Sequence, residues 1–161
     1  MSEFVSPGLA PEEIVTRLAA DKAKSVAVGL KAGLVIGADT IVVYRRQILG
    51  KPADKAKAVE MLQKLQGDAH EVFTGIALVD AASGQCSTSH ERTQVMFRPL
   101  DDDEIQRYVD TGEPMDKAGA YGAQGIGAAF VESIVGSYTN VVGLPLAKLS
   151  LMLKEKGYQA F

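Results

Sequence analysis

The chain has 161 residues and a formal net charge of −3, with 47% apolar and 23% charged residues and its acids and bases interspersed. That balance describes a soluble globular protein able to bury a core, and it excludes intrinsic disorder and a clustered basic face for duplex nucleic acid. No apolar run reaches the length of a membrane span, the start MSEFVSPGLAPEE lacks the basic and apolar regions of a signal peptide, and the single cysteine, Cys86, rules out an internal disulfide and fits a reducing cytoplasm.

Residues 1–10 read as a loop punctuated by Pro7 and Gly8. Pro11 suits the first position of a helix, Glu12 and Glu13 suit its positive end, and Gly29 stops it after about Val28. Its apolar positions include Ile14, Val15, Leu18, Ala19 and Val26, and Lys22 falls on the same stripe. The run LVIGADTIVVY, residues 34–44, predicts a central strand covered on both faces. A turn at Arg45–Gln47 leads to ILGKP, a short return strand ending in a loop. Pro52 and Asp54 introduce a helix over 54–66 with Ala58, Met61, Leu62 and Leu65 inward and Gly67 after it. HEVFTGIALVD (70–80) and STSHERTQVMFRPL (87–100) pair as strands across AASGQ. A third helix starts at Leu100-Asp101, with Ile105, Tyr108 and Val109 inward and Gly112 beyond it. The irregular stretch GEPMDKAGAYGAQGIG follows, then short strands around 128–134. A last helix has Pro145 near its start and Gly157 past its end. The order predicts a single α/β domain over 1–161, a mixed sheet flanked by helices.

Several residues in this frame can carry chemistry. Burying an unpaired carboxylate costs several kcal/mol, so Asp39 in the middle of its strand demands a partner. It either caps a turn where the strand ends or serves as a metal ligand or general base, and Gly37 and Ala38 leave room for another group to come close. Lys22 either snorkels to water or points inward. With Lys51 in the LGKP loop, these residues make a combination suited to Mg²⁺ and polyphosphate, because Mg²⁺ takes one or two carboxylates plus phosphate oxygens and lysines act on phosphates as point charges. The glycine-rich stretch offers backbone N–H groups to an anion or a base edge. Within it, Gln124 either reads a planar base or holds the loop together. No GxxxxGK[ST] or G-x-S-x-G occurs, and GIGAAF lacks a strand–turn–helix setting. His70 and His90 lack metal-ligand spacing, and DDDE at 101–104 reads as a helix N-terminus.

Taken in order, IGADTIV, ILGKP, HEVFTGIALV, FRPL…EIQRYVDTGEPMDKAGAYGAQG and GSYTNVVGLPL closely resemble the Maf family of nucleoside triphosphate pyrophosphatases, from about Glu3 to Leu153. The resemblance implies an inosine triphosphatase-like α/β fold, a homodimer, and hydrolysis of a nucleoside triphosphate to the monophosphate and pyrophosphate with Mg²⁺ or Mn²⁺. Asp39 matches the family's proton acceptor in Gly-Ala-Asp-Thr. Lys22 matches its helix lysine and Lys51 the lysine of Gly-Lys-Pro. Glu3 matches a glutamate that would join Asp39 at the metal. Thr40 and Gln124 match the specificity positions of the subfamily acting on dTTP and UTP. The family opens with a strand and a Ser-x-Ser-Pro-Arg-Arg loop upstream of the position of Glu3. Ser6-Pro7 carries no arginines and has the wrong spacing to Lys22. The expectation is therefore an N-terminally shortened Maf-like domain without that anion-binding wall. Its function is then either a pyrophosphatase for dTTP, UTP or modified pyrimidine nucleotides, or a catalytically impaired nucleotide-binding or division-regulating protein.

Overall fold

The structure, a computed structural model, describes residues 8–159. Its strands are β1 (Leu34–Tyr44), β2 (Gln47–Leu49), β3 (Ala69–Asp80), β4 (Cys86–Phe97) and β5 (Val131–Val135), and its α-helices are α1 (Pro11–Ala27), α2 (Lys55–Leu65), α3 (Asp102–Asp110), α4 (Tyr138–Val142) and α5 (Leu146–Glu155). The strands form one sheet in the order β2-β1-β3-β4-β5. This is an α/β fold, as the sequence predicts. β1 begins after Gly33, at φ +110°, and ends at a turn in which Arg45 and Arg46 both have positive φ, so the chain reverses into antiparallel pairing of Val42–Tyr44 with Gln47–Leu49. α2 starts where the Asp54 carboxylate accepts the Lys57 N–H at 2.8 Å. α3 starts with a capping box between Asp101 and Glu104, which is the role the acids at 101–104 were expected to play.

The chain divides into two compact units, and β1, β3 and β4 each contribute residues to both. In the first unit (residues 8–40, 73–91 and 143–159), α1 buries Ile14, Val15, Ala19, Ala20, Ala23 and Ala27. Two glycines explain why this face is mostly alanine. A Cβ on Gly37 would lie 2.3 Å from the Ala19 carbonyl oxygen, and one on Gly75 would lie 2.2 Å from that of Val15. The helix backbone therefore rests directly on the strands, and side chains larger than alanine are excluded along much of the contact. Val26, expected on the inner stripe, is 57% exposed for the same reason: it lies off the narrow alanine track. α5 covers Ile76 and Leu78 with Leu149 and Met152. Over this part of β1 the burial alternates, and Ile36 is 46% exposed. Cover on both faces, expected for the whole strand, is found only at Ile41–Val43 in the second unit.

The second unit (Ile41–Val72 and Arg92–Val142) packs Leu62 and Leu65 of α2, Ile105, Tyr108 and Val109 of α3, and Val42, Val72, Val95 and Phe97 of the strands into one core. Its aromatic rings meet edge to face, with Phe97 4.7 Å from Tyr121 and Tyr108 4.7 Å from Phe130. His70 joins this cluster as a buried strand residue, 2.6 Å from the Tyr121 hydroxyl through Nε2. The glycine-rich stretch is a series of 3-10 turns at Glu113–Asp116, Ala118–Ala120 and Ile126–Phe130, so β5 starts later than expected. α4 was not foreseen. It is a single short turn of helix, and it is anchored by Asn140, whose Nδ2 donates to the Val72 carbonyl at 3.1 Å and to Thr93 Oγ1 at 2.8 Å.

Two outcomes follow. Gly75→Ala forces a methyl group into the α1 backbone and should destabilise the protein by about 2–3 kcal/mol, read as a lower denaturant midpoint. A substitution without effect would show that α1 does not rest on β3 as described. Burial pushes the His70 imidazole down from 6.5 to about 4, against the pull of Asp68. The unfolded chain therefore binds this proton first as the pH falls. Stability carried by neutral His70 is complete above about 6.5 and is lost down to about 4, with about 2 kcal/mol gone between pH 7 and pH 5. Stability curves of His70→Gln should lack that slope.

Candidate functional site

Asp39 sits inside β1, well before the strand ends at Tyr44, so it does not cap a turn. It shares a face of the strand with Gly37, two residues before it. The room beside Gly37 is filled by α1 itself: a Cβ there would also lie 2.9 Å from the Cβ of Ala23. That close approach brings Lys22, one residue before Ala23, within reach. Its ammonium donates to Asp39 Oδ1 in a direct ion pair. Asp39 is 7% exposed, whereas the Lys22 side chain is 39% exposed. Of the two alternatives for Lys22, the structure shows the inward one. The pair has a buried anionic half and a half-open cationic half.

Thr40 points to the other face of β1. Its hydroxyl lies 2.8 Å from that of Thr74 on β3 and 3.5 Å from the Gly143 carbonyl. Thr74, fully buried, was not singled out by sequence reasoning, although it stands in the quoted HEVFTGIALV. Glu3 lies outside the described residues. Among those that are described, no group of three or more His, Cys, Asp or Glu side chains is arranged to hold a metal.

Lys51 and Gln124 belong to the second unit. Lys51 is exposed in the loop after β2. This loop is tied to the Lys117 segment, because the Gly50 carbonyl accepts the Gly119 N–H at 3.1 Å. Gly119 has φ +72°, and a Cβ on it would lie 2.8 Å from Cγ2 of Val42. The next residue, Ala120, is also left-handed at φ +63°. Two successive left-handed residues, one of them not glycine, mark a backbone held against its preference. Beside it, Lys117 Nζ bonds Asp116 at 2.8 Å, and this hydrogen bond, with the charges of Lys117 and Lys51, holds the Asp116 carboxyl below its usual range.

Gln124 is exposed, and its side-chain amide makes no hydrogen bond among the described residues. It is not the group that holds its loop. Nor is the loop an open array of N–H donors, as its glycines suggested. The N–H of Gly122 goes to the Tyr108 hydroxyl, those of Ile126 and Gly127 go to the Glu113 carboxylate, and those of Gly125 and Ala128 go to carbonyls within the segment. Glu113 was missed. Its only sequence signal is its place in the quoted GEPMDKAG.

Gly119→Ala must place a side chain at a left-handed φ and against Val42, so it should cost about 2 kcal/mol or more in a chemical unfolding experiment. Limited proteolysis near Lys51 should become faster in that variant. An unchanged cleavage pattern would disconnect the two loops.

The structure thus sets an acid buried in mid-strand against a helix lysine, in an α/β fold. Residues 2–156 match the family described as Maf-like protein, and the chain belongs to that family. Among its relatives, a protein of Pelotomaculum thermopropionicum named dTTP/UTP pyrophosphatase is 57% identical over 94% of this chain and 79% of its own length. Proteins of the same name from Desulforamulus reducens and Symbiobacterium thermophilum are 49% and 53% identical, over 99% and 94% of this chain and 83% and 77% of their own lengths.

Proposed function

We propose that the protein is a nucleoside triphosphate pyrophosphatase that hydrolyses dTTP, UTP or modified pyrimidine nucleotides to the monophosphate and pyrophosphate. The observation that carries this reading is the Lys22–Asp39 pair, at the acid of the Gly-Ala-Asp-Thr segment, in a chain whose relatives bear the name dTTP/UTP pyrophosphatase. No finding favours the alternative of a binding protein without turnover.

In this reading Asp39 is the general base. Its carboxylate, with the Lys22 ammonium on one oxygen, is placed to accept a proton. Water attacks the α-phosphorus and gives its proton to Asp39. The bond from the α-phosphorus to the bridging oxygen breaks, and pyrophosphate leaves. Lys22 is half exposed, so its ammonium can be shared between Asp39 and phosphate oxygens, and Lys51 adds a point charge for the leaving group. Thr40 and Gln124 are assigned to base selection.

The donor set suits a divalent ion that arrives with its substrate. Mg²⁺ takes one or two protein carboxylates and fills its remaining positions with phosphate and water oxygens, and Asp39 offers one buried carboxylate. Asp39, with Glu3 as the second acid, would hold Mg²⁺ or Mn²⁺. When bound, the ion supplies neutralisation of triphosphate charge and polarisation of a phosphoryl oxygen. We read the acting form as a homodimer in the cytoplasm. The free, exposed thiol of Cys86 supports a reducing compartment, and no helix among the described residues is long and apolar enough to cross a membrane.

The direct test is pyrophosphate release from dTTP and UTP in Mg²⁺. The wild type should turn both over, and Asp39→Asn should lose at least about 100-fold in kcat. Equal rates in the two proteins would remove Asp39 from the reaction.

A further inference from the structure

The loop that carries Gln124 is tied at one end to the Glu113 carboxylate and at the other to the Tyr108 hydroxyl, which itself donates to that carboxylate. Glu113 stands in the 3-10 turn that follows α3, after Gly112 at φ +82°. Its Oε1 accepts the Ile126 N–H at 2.8 Å, and its Oε2 accepts the Gly127 N–H at 3.0 Å together with the Tyr108 hydroxyl. Tyr108 in turn accepts the Gly122 N–H at 3.0 Å. The glycines follow from this arrangement. A Cβ on Gly125 would lie 1.9 Å from Glu113 Oε1, and one on Gly127 would lie 2.8 Å from the Tyr108 hydroxyl. Burial works to raise the Glu113 carboxyl. The Tyr108 hydroxyl, the Gly127 and Ile126 N–H groups and Lys117 outweigh it, so Glu113 stays anionic and the ties hold at neutral pH.

Within this frame Glu113 and Tyr108 hold Gly122, Ile126 and Gly127, and Ala123 and Gln124 lie between the held residues. Ala123 is buried and its carbonyl accepts the Tyr138 hydroxyl at 3.5 Å, while Gln124 faces outward with its amide unspent. An amide matches the N3–H donor and neighbouring carbonyl of uracil or thymine. Turned over, it also matches cytosine. Its selectivity therefore depends on where the backbone holds it, and a loop already ordered before binding loses less entropy when it engages a base.

We propose that Glu113 is a positioning residue for nucleotide selection, acting through the backbone of Gly122–Gly127 on Gln124. This rests on the assignment of Gln124 to base recognition. It adds a carboxylate that touches no substrate atom, yet sets which base is accepted.

The experiment measures kcat and KM for UTP, dTTP and ATP in wild type, Glu113→Gln, Gln124→Ala and the double variant. UMP and AMP binding to each, followed by calorimetry, needs no turnover. Glu113→Gln should raise KM for UTP and dTTP about tenfold while kcat stays within about threefold, and the preference over ATP should shrink. In the Gln124→Ala background the same change should add nothing to the loss of preference. If Glu113→Gln fails to fold, Gly125→Ala tests the same tie, since its methyl displaces the carboxylate from the Ile126 N–H, and it should show the same KM pattern. Unchanged selectivity in a folded Glu113→Gln, or effects that multiply in the double variant, would overturn the proposal. So would a wild type that binds UMP and AMP equally. A wild type that prefers UMP but releases no pyrophosphate would sink the hydrolase reading alone.

Discussion

A carboxylate buried in the middle of a strand has to be answered by a charge, and in this protein the answer sets the architecture around it. Asp39 is met by Lys22, and Lys22 reaches it only because α1 lies on β1 without an intervening layer of side chains. That approach needs Gly37 beneath Ala19 and Ala23, Gly75 beneath Val15, and alanine at most of the inward positions of α1. The usual reward of a helix–sheet contact, large apolar side chains removed from water, is given up along this track. What is obtained instead is a short reach between a helix lysine and a strand acid. An alanine-rich helix on glycine-bearing strands is thus a consequence of where the charge sits.

The second unit solves a related problem by the same means. Here the Glu113 carboxylate and the Tyr108 hydroxyl collect the backbone N–H groups of Gly122, Ile126 and Gly127, and Gly125 and Gly127 let the chain come close enough to give them. In each unit, glycine marks the place where a polar tie displaces side-chain packing. The glycines of residues 122–127 therefore signal order, since the N–H groups of Gly122, Gly125, Ile126 and Gly127 are all bonded within the unit. The strain recorded at Gly119 and Ala120 belongs with this: a backbone kept in a disfavoured region persists only where its surroundings over-determine it.

Most of the elements were legible because their signals are local. The apolar run of β1 is bounded by Gly33 and by the reversal at Arg45-Arg46, so its limits could be read directly. The caps at Asp54 and Asp101 are short-range hydrogen bonds within one turn of chain. α4 escaped because five residues are too few for a period to show, and what anchors it is Asn140 bonding to Val72 and Thr93, far away in sequence. Glu113 escaped for the same reason: its partners are backbone groups of residues 126 and 127, which carry no residue-type signature. Val26 was misplaced because a hydrophobic stripe is drawn at the width of ordinary side chains, and the track on which α1 sits is narrower.

By itself, the sequence determined the α/β order of elements, the burden of a buried acid at Asp39, and the family through a chain of motifs at consistent spacing. These are properties of composition, period and residue type, which act within a few residues. Only the tertiary structure decided which group answers Asp39, that the space beside Gly37 belongs to α1, and that the N–H groups of the glycine-rich loop are spent inward on Glu113 and Tyr108 while the Gln124 amide is not. Those are questions of which atoms come within hydrogen-bonding distance. That depends on how closely two backbones can approach, and the approach is set jointly by residues distant in the chain.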